Sequence, residues 1–287
     1  MSVSRRTALR AFGLLLLVVY ALQIGLWRFA LTAFLVGAFV AAVFGSQYLR
    51  VCADAWVEFR RGAVWSPLGY QTMLLILLHA LLVQAQLNEL LPSHSRINLG
   101  PALQALEAPF HLSLPNPMPF ALAWFWLGIY LFVFPALLLG LLIVLNGYDE
   151  GKSLRIYLRA CNLVLWLALP LFALLCVPEV WIQLDGYEPP AVSPGRELAF
   201  YRFLSGPSNC LPSLHCTLAL LATAVGWQSG IPTLRRLVTT LGLLVCLSTV
   251  IIGVHWITDV IFSIPLAALA LGAARLLESS RERAVQS

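Results

Sequence analysis

His215, His255 and Asp259 are the residues of this 287-residue chain whose types and spacing suit chemistry. His215 closes the run Pro212-Ser213-Leu214-His215, where a proline-rich stretch passes into an apolar one. Proline suits a first helical turn, and the unpaired N–H groups that open a helix form, with its dipole, an anion site. A phosphate bound there would meet His215. His255 and Asp259 stand four residues apart, so on a helix they share a face. The carboxylate then takes a hydrogen bond from one ring nitrogen and leaves the other with its lone pair, which makes a nucleophile. Either histidine alone reads equally well as a capped helix-end residue; their joint placement argues for a site.

The elements between them must bring the histidines together. Residues 216–227 are apolar, 228–236 form a polar connector and 237–254 are apolar again. If both runs cross a bilayer, His215 and His255 return to the same side. Composition supports a bilayer, since 60% hydrophobic against 11% charged residues leaves too little polar surface to cover a soluble globule. The net charge of +5 is scattered over the ends of apolar runs, which marks membrane topology and argues against nucleic acid as a partner. Apolar runs at 11–27, 29–48, 70–91, 119–145, 160–180, 214–229, 237–254 and 256–275 give eight helices at most. The first and sixth are marginal against the roughly 17 to 25 residues that a span needs. This predicts an all-α membrane bundle, with an N-terminal hairpin and basic loop over 1–69 and a six-helix catalytic domain over 70–287.

Short cytoplasmic loops carry the excess of Arg and Lys. With the N-terminus inside and 11–48 a hairpin, every basic cluster falls inside, and the proline-rich stretches 92–118 and 178–212 fall outside. That is the arrangement of a plasma or inner membrane protein with its site on the extracytoplasmic side. Proline-stiffened segments of this length suit a lid or a wall over the site. The six cysteines have no C-x-x-C spacing and sit mostly in apolar runs, so we expect no metal site and no disulfide. His79 reads as a satisfied core histidine, and His94 and His111 as solvated loop residues. Trp124, Trp126, Trp181 and Trp256 fit interfacial belts.

The pair Pro-Ser-Leu-His (212–215) and His-x-x-x-Asp (255–259) resembles the second and third signature motifs of the type 2 phosphatidic acid phosphatase superfamily. The superfamily includes lipid phosphate phosphatases and, in a membrane branch, inositol phosphorylceramide and sphingomyelin synthases. The resemblance implies a metal-independent enzyme, without cofactor, acting on a membrane lipid. His255 would attack phosphorus and form a phosphohistidine, oriented by Asp259. His215 would protonate the leaving alkoxide and then activate the acceptor. Ser213 and the backbone N–H groups around Leu214 would hold the phosphoryl oxygens.

The chain departs from the phosphatase pattern at three points. Leu214 replaces a glycine and Thr249 replaces a phosphate-binding arginine, and both changes look like the inositol phosphorylceramide synthase branch. The first motif, Lys-x6-Arg-Pro, has its literal match at Lys152 to Arg159, with Ala160 for the proline. The apolar run 161–180 separates that match from the His215 segment, which puts Lys152 and Arg159 on the opposite side. Phosphoryl transfer still needs cations around the equatorial oxygens, and Arg202, then Arg196, is assigned that role. Both fates of the phosphohistidine stay open. Water gives a phosphatase; a hydroxyl-bearing lipid or polyol gives a headgroup phosphotransferase. A transporter or scaffold on the same fold is the alternative from another class, since intramembrane His and Asp also serve proton relays.

Overall fold

A computed structural model describes residues 67–79, 91, 95–146, 151–185, 187 and 208–286. The expected N-terminal hairpin, Arg196, Arg202 and His94 lie outside the described residues. So do residues 80–90 of the expected span 70–91, whose first part lies in α1 (Pro67–Leu78).

The fold is mostly helical, because a backbone in lipid must satisfy its polar groups within its own segment. A two-residue strand β1 (Ile97–Asn98) leads into α2 (Gly100–Leu112). Next comes a long helix made of α3 (Phe120–Gly128), a π-helical turn at Ile129–Val133 and α4 (Phe134–Asn146). Then follow α5 (Lys152–Leu174), β2 (Leu175–Cys176) and the short α6 (Val180–Gln183). The chain closes with α7 (Leu214–Gln228), α8 (Pro232–Ile251) and α9 (Ile257–Gln286).

Among the described residues, four helices are long and apolar enough to cross a membrane, at 121–142, 152–174, 232–251 and 257–284. The chain thus reads as an integral membrane protein. The expected span 160–180 is displaced towards its N-terminus. Its helix begins at Lys152, whose ammonium reaches Glu282 at 2.9 Å, and it stops at Leu174 because Leu175 and Cys176 pair in parallel with Ile97 and Asn98. The expected span 214–229 is α7, only 15 residues long and so about 22 Å, short of the roughly 30 Å hydrocarbon core. It has no need to reach lipid at both ends, because it packs against α4, α5, α8 and α9. Its N-terminal end, at the fully buried Ser213, rests in protein, where non-helical backbone at membrane depth is tolerated.

The main core runs along these five helices, with Leu141, Leu145, Leu154, Val164, Ala219, Leu221, Val245 and Ala270 almost fully buried. A second cluster, at the end of the bundle where α5 meets β2, holds Leu103, Val177, Val180, Cys210, Leu211 and Trp256. The proline-rich segments expected as a lid or wall over the site supply much of it. α2 has Pro101 in its first turn and Pro109 inside, and its stripe Leu103, Glu107, His111 faces inward. His111, expected solvated, is fully buried, and Trp256, expected in a belt, is 0% exposed. The indole N–H of Trp256 donates to Pro178 O at 2.8 Å, so the core meets both its apolar and its polar needs. His79 is buried and makes a 2.8 Å bond with Leu165 O. Cys161, Cys176, Cys210, Cys216 and Cys246 are free thiols.

Candidate active site

Two local devices place the histidines. Ser213 is the N-cap of α7, and its Oγ accepts from Cys216 N at 3.3 Å. The Ser213 carbonyl accepts from Thr217 N, Thr217 Oγ1 and Ser263 Oγ. This fixes the capping residue while the N–H groups of Leu214 and His215 lie ahead of the first intrahelical bond. The side chain of Leu214 packs beside Ala168 and Phe172, so any part it has in anion binding falls to its backbone. At the other position α8 ends at Ile251, and Gly253 turns the chain with φ +73°. A Cβ there would lie 2.6 Å from the Tyr187 ring, so both conformation and space call for glycine. The Val254 and His255 N–H groups close the turn on Thr249 O, each at 3.1 Å.

α7 and α8 run out and back, and the structure brings the histidines together with ring centroids 6.3 Å apart. His255 Nδ1 meets Asp259 Oδ2 at 3.1 Å, and the same oxygen accepts from Trp256 N at 2.9 Å. Asp259 is fully buried, so this carboxylate sets the ring by more than proximity. With Nδ1 donating, Nε2 carries the lone pair. Burial opposes the charged form of His255, but the hydrogen bond and charge of Asp259 outweigh it and its pKa lies above the usual value. His215 is held differently, its ring against those of Tyr130 at 4.3 Å and Phe134 at 4.5 Å.

Cys210 adds a third donor, its sulfur lying within 4.8 Å of ligand atoms of His255 and Asp259. It donates to Val254 O at 3.5 Å, and burial, followed by the nearby Glu179 and Asp259 charges, pushes its thiol pKa well up. A thiol kept protonated is a poor metal ligand. Thr249, at the position of the absent arginine, is fully buried and turns its hydroxyl to Cys246 O at 2.8 Å.

Lys152, Arg155 and Arg159 lie at the other end of the bundle. Arg155 and Arg159 grip the buried Glu278 at 2.7 and 2.6 Å, and Lys152 pairs with Glu282. Glu278 is 19 residues beyond Asp259 on the same helix, or about 28 Å. These cations therefore stand far from the histidines.

At the histidine end, Glu107, Arg96 and Tyr130 escaped the reading of the sequence and a fourth residue, His111, was read as solvated. Glu107 reaches from α2 to the start of α9, where its carboxylate accepts from Ile257 N at 2.6 Å, Thr258 N at 3.0 Å and the Thr258 hydroxyl. It caps, from 150 residues away, the helix that carries Asp259. His111, one turn on, stacks edge-on against Trp256 at 5.3 Å. Arg96 is buried and donates to Phe172 O, Leu175 O and Asn209 Oδ1, so this cation closes the C-terminal carbonyls of α5. The available signal was in α2, where polar residues occupy positions 107 and 111 of the stripe that begins at Leu103.

No curated protein and no solved structure matches the chain. Residues 160–282, less than half of the chain but containing His215, His255 and Asp259, match the family model described as the PAP2 superfamily.

Proposed function

We propose that the protein is an integral membrane phosphatase or phosphotransferase of the PAP2 superfamily that acts on a phosphorylated lipid through a phosphohistidine on His255. The observation that supports this best is the pairing of an Asp-oriented imidazole with a second imidazole 6.3 Å away, a gap suited to a phosphoryl group between them. His255 Nε2 forms the bond to phosphorus as the bond to the leaving oxygen breaks, and His215 gives that oxygen its proton. His215 then takes a proton from the acceptor, whose oxygen displaces Nε2 and restores the free imidazole. Asp259 holds Nδ1–H throughout. Ser213 and the first N–H groups of α7 receive the equatorial oxygens, with Arg202 or Arg196 as the cation and the site on the extracytoplasmic side.

A hydroxyl-bearing lipid or polyol as acceptor is favoured by a specific feature. Thr249, with its hydroxyl turned into the core, supplies no cation where the phosphatase pattern has arginine. That departure, with Leu214, is shared with the inositol phosphorylceramide synthase branch.

Purified protein incubated with labelled lipid phosphates, lipid diphosphates and lipid phosphodiesters tests the proposal, with candidate alcohols added to separate transfer from hydrolysis. The expected result is turnover of at least one donor by wild type and its loss, by about 10³-fold or more, in His255→Ala. Equal behaviour of the two proteins on every donor overturns it.

A further inference from the structure

His255 has a carboxylate to orient it, whereas among the described residues no hydrogen bond holds the His215 ring. Its contacts are aromatic, with Tyr130 tilted by 30° at 4.3 Å and Phe134 by 50° at 4.5 Å. We propose that Tyr130 and Phe134 form a clamp that positions His215, and that the π-turn between α3 and α4 aims it. This rests on the reading of His215 as the acid–base group.

Three observations converge on the clamp. The helix over 120–146 is regular except at Ile129–Val133, the five residues that carry Tyr130 and directly precede Phe134. A π-turn costs hydrogen-bond geometry and shifts the faces of the helix on either side, and such turns concentrate at functional sites. Secondly, Tyr130 belongs to a buried cluster with Trp124, Leu127, Ile252 and Val254. Val254 is the residue before His255, so one buried ring packs against His215 while its cluster includes the turn carrying His255. It thereby ties together the separation of the two imidazoles. Thirdly, an aromatic face attracts a cation, so the two rings offset part of the burial that opposes the imidazolium His215 becomes after taking the acceptor's proton. An aliphatic wall of equal size lacks that attraction. Tyr130 and Phe134 are thus positioning residues, acting through His215.

The full-length protein in detergent or vesicles provides the test, with Tyr130→Phe, Tyr130→Leu and Phe134→Leu, all of which keep apolar bulk. The first readout needs no substrate. It is the rate at which diethyl pyrocarbonate modifies His215, located by mass spectrometry, with the modification of His79 as an internal control for folding. Tyr130→Leu is expected to raise the His215 rate several-fold relative to His79, and Tyr130→Phe to leave it unchanged. The second readout is turnover, as a function of pH, of whichever donor the assay under the proposed function finds to be a substrate. Tyr130→Leu should lower kcat by about 10- to 100-fold with little change in KM, and should move the limb of the pH profile governed by His215. Tyr130→Phe should restore both. An unchanged His215 rate in both leucine variants overturns the clamp, as does Tyr130→Phe behaving like Tyr130→Leu. If wild type turns over no phosphorylated lipid, the proposed function fails and the modification rates still decide the clamp.

Discussion

Asp259 does two things for His255, and both are measurable. Its Oδ2 accepts from His255 Nδ1 and from Trp256 N, so it fixes the ring; its charge also raises the pKa of His255 against the effect of burial. Attack requires neutral Nε2, so activity should climb with pH through a value above 6.5, the ordinary histidine value. In Asp259→Asn the ring loses both the charge and the enforced tautomer. That variant should lose about 10³- to 10⁴-fold in kcat, and the acid limb of its residual activity should move to lower pH. At the neighbouring His111 the sign differs. Burial lowers its pKa below 6.5 despite Glu107, so the folded protein keeps it neutral while the unfolded chain takes up a proton. Stability is then full above about pH 6.5 and falls as pH drops from there towards the lowered folded value. His111→Phe should flatten that fall in thermal unfolding followed across pH.

The elements that hold the site come from far apart in the chain. Glu107 on α2 satisfies the first N–H groups of α9, a capping role filled in trans by a carboxylate that also suits the positive end of the helix. Glu107→Ala leaves those half-buried donors without their carboxylate and should destabilise the protein by about 2 kcal/mol, with Glu107→Gln recovering part of it in denaturant titrations. This is also where the sequence was least legible. The motif residues 212–215 and 255–259 announced themselves by spacing, and an out-and-back helix pair was enough to put both histidines at one end. Glu107, Tyr130 and Arg96 carry no motif, and each reaches a partner at least 76 residues away. Reading His111 as a solvated loop residue failed because it belongs to a helix, with Pro101 in its first turn and Pro109 inside, and lies on the stripe that faces inward. Reading Trp256 as a belt residue failed because the belt is a tendency of lipid-facing tryptophans, and this one is covered by α2 and by the chain after β2.

Across the whole molecule, the two ends of the bundle are chemically distinct. One carries two imidazoles and buried carboxylates; the other carries Lys152, Arg155 and Arg159 around Glu278 and Glu282. Charge parity is the ground for the two sides of the membrane; among the described residues, hydropathy anticipated apolar helices at 121–142, 152–174, 232–251 and 257–284. It missed that helices exceed their apolar runs, because Lys152, Arg155 and Arg159 enter α5 once α9 supplies partners 119 or more residues away. Single cysteines at 152 and 202 in an otherwise cysteine-free chain should react with an impermeant thiol reagent from opposite faces of intact vesicles. Glu278→Ala removes the buried carboxylate that Arg155, Arg159 and Arg281 share and should cost about 3 kcal/mol without touching the histidine end.

The central claim is that His255 takes the phosphoryl group, and trapping that species tests it most directly. Protein mixed with a ³²P-labelled lipid phosphate and quenched in alkaline detergent should carry acid-labile, alkali-stable label that maps to the peptide containing His255. The label should vanish in His255→Ala and should be discharged by water or by the acceptor alcohol. Label of equal yield in His255→Ala, or label located on another residue, would contradict the account.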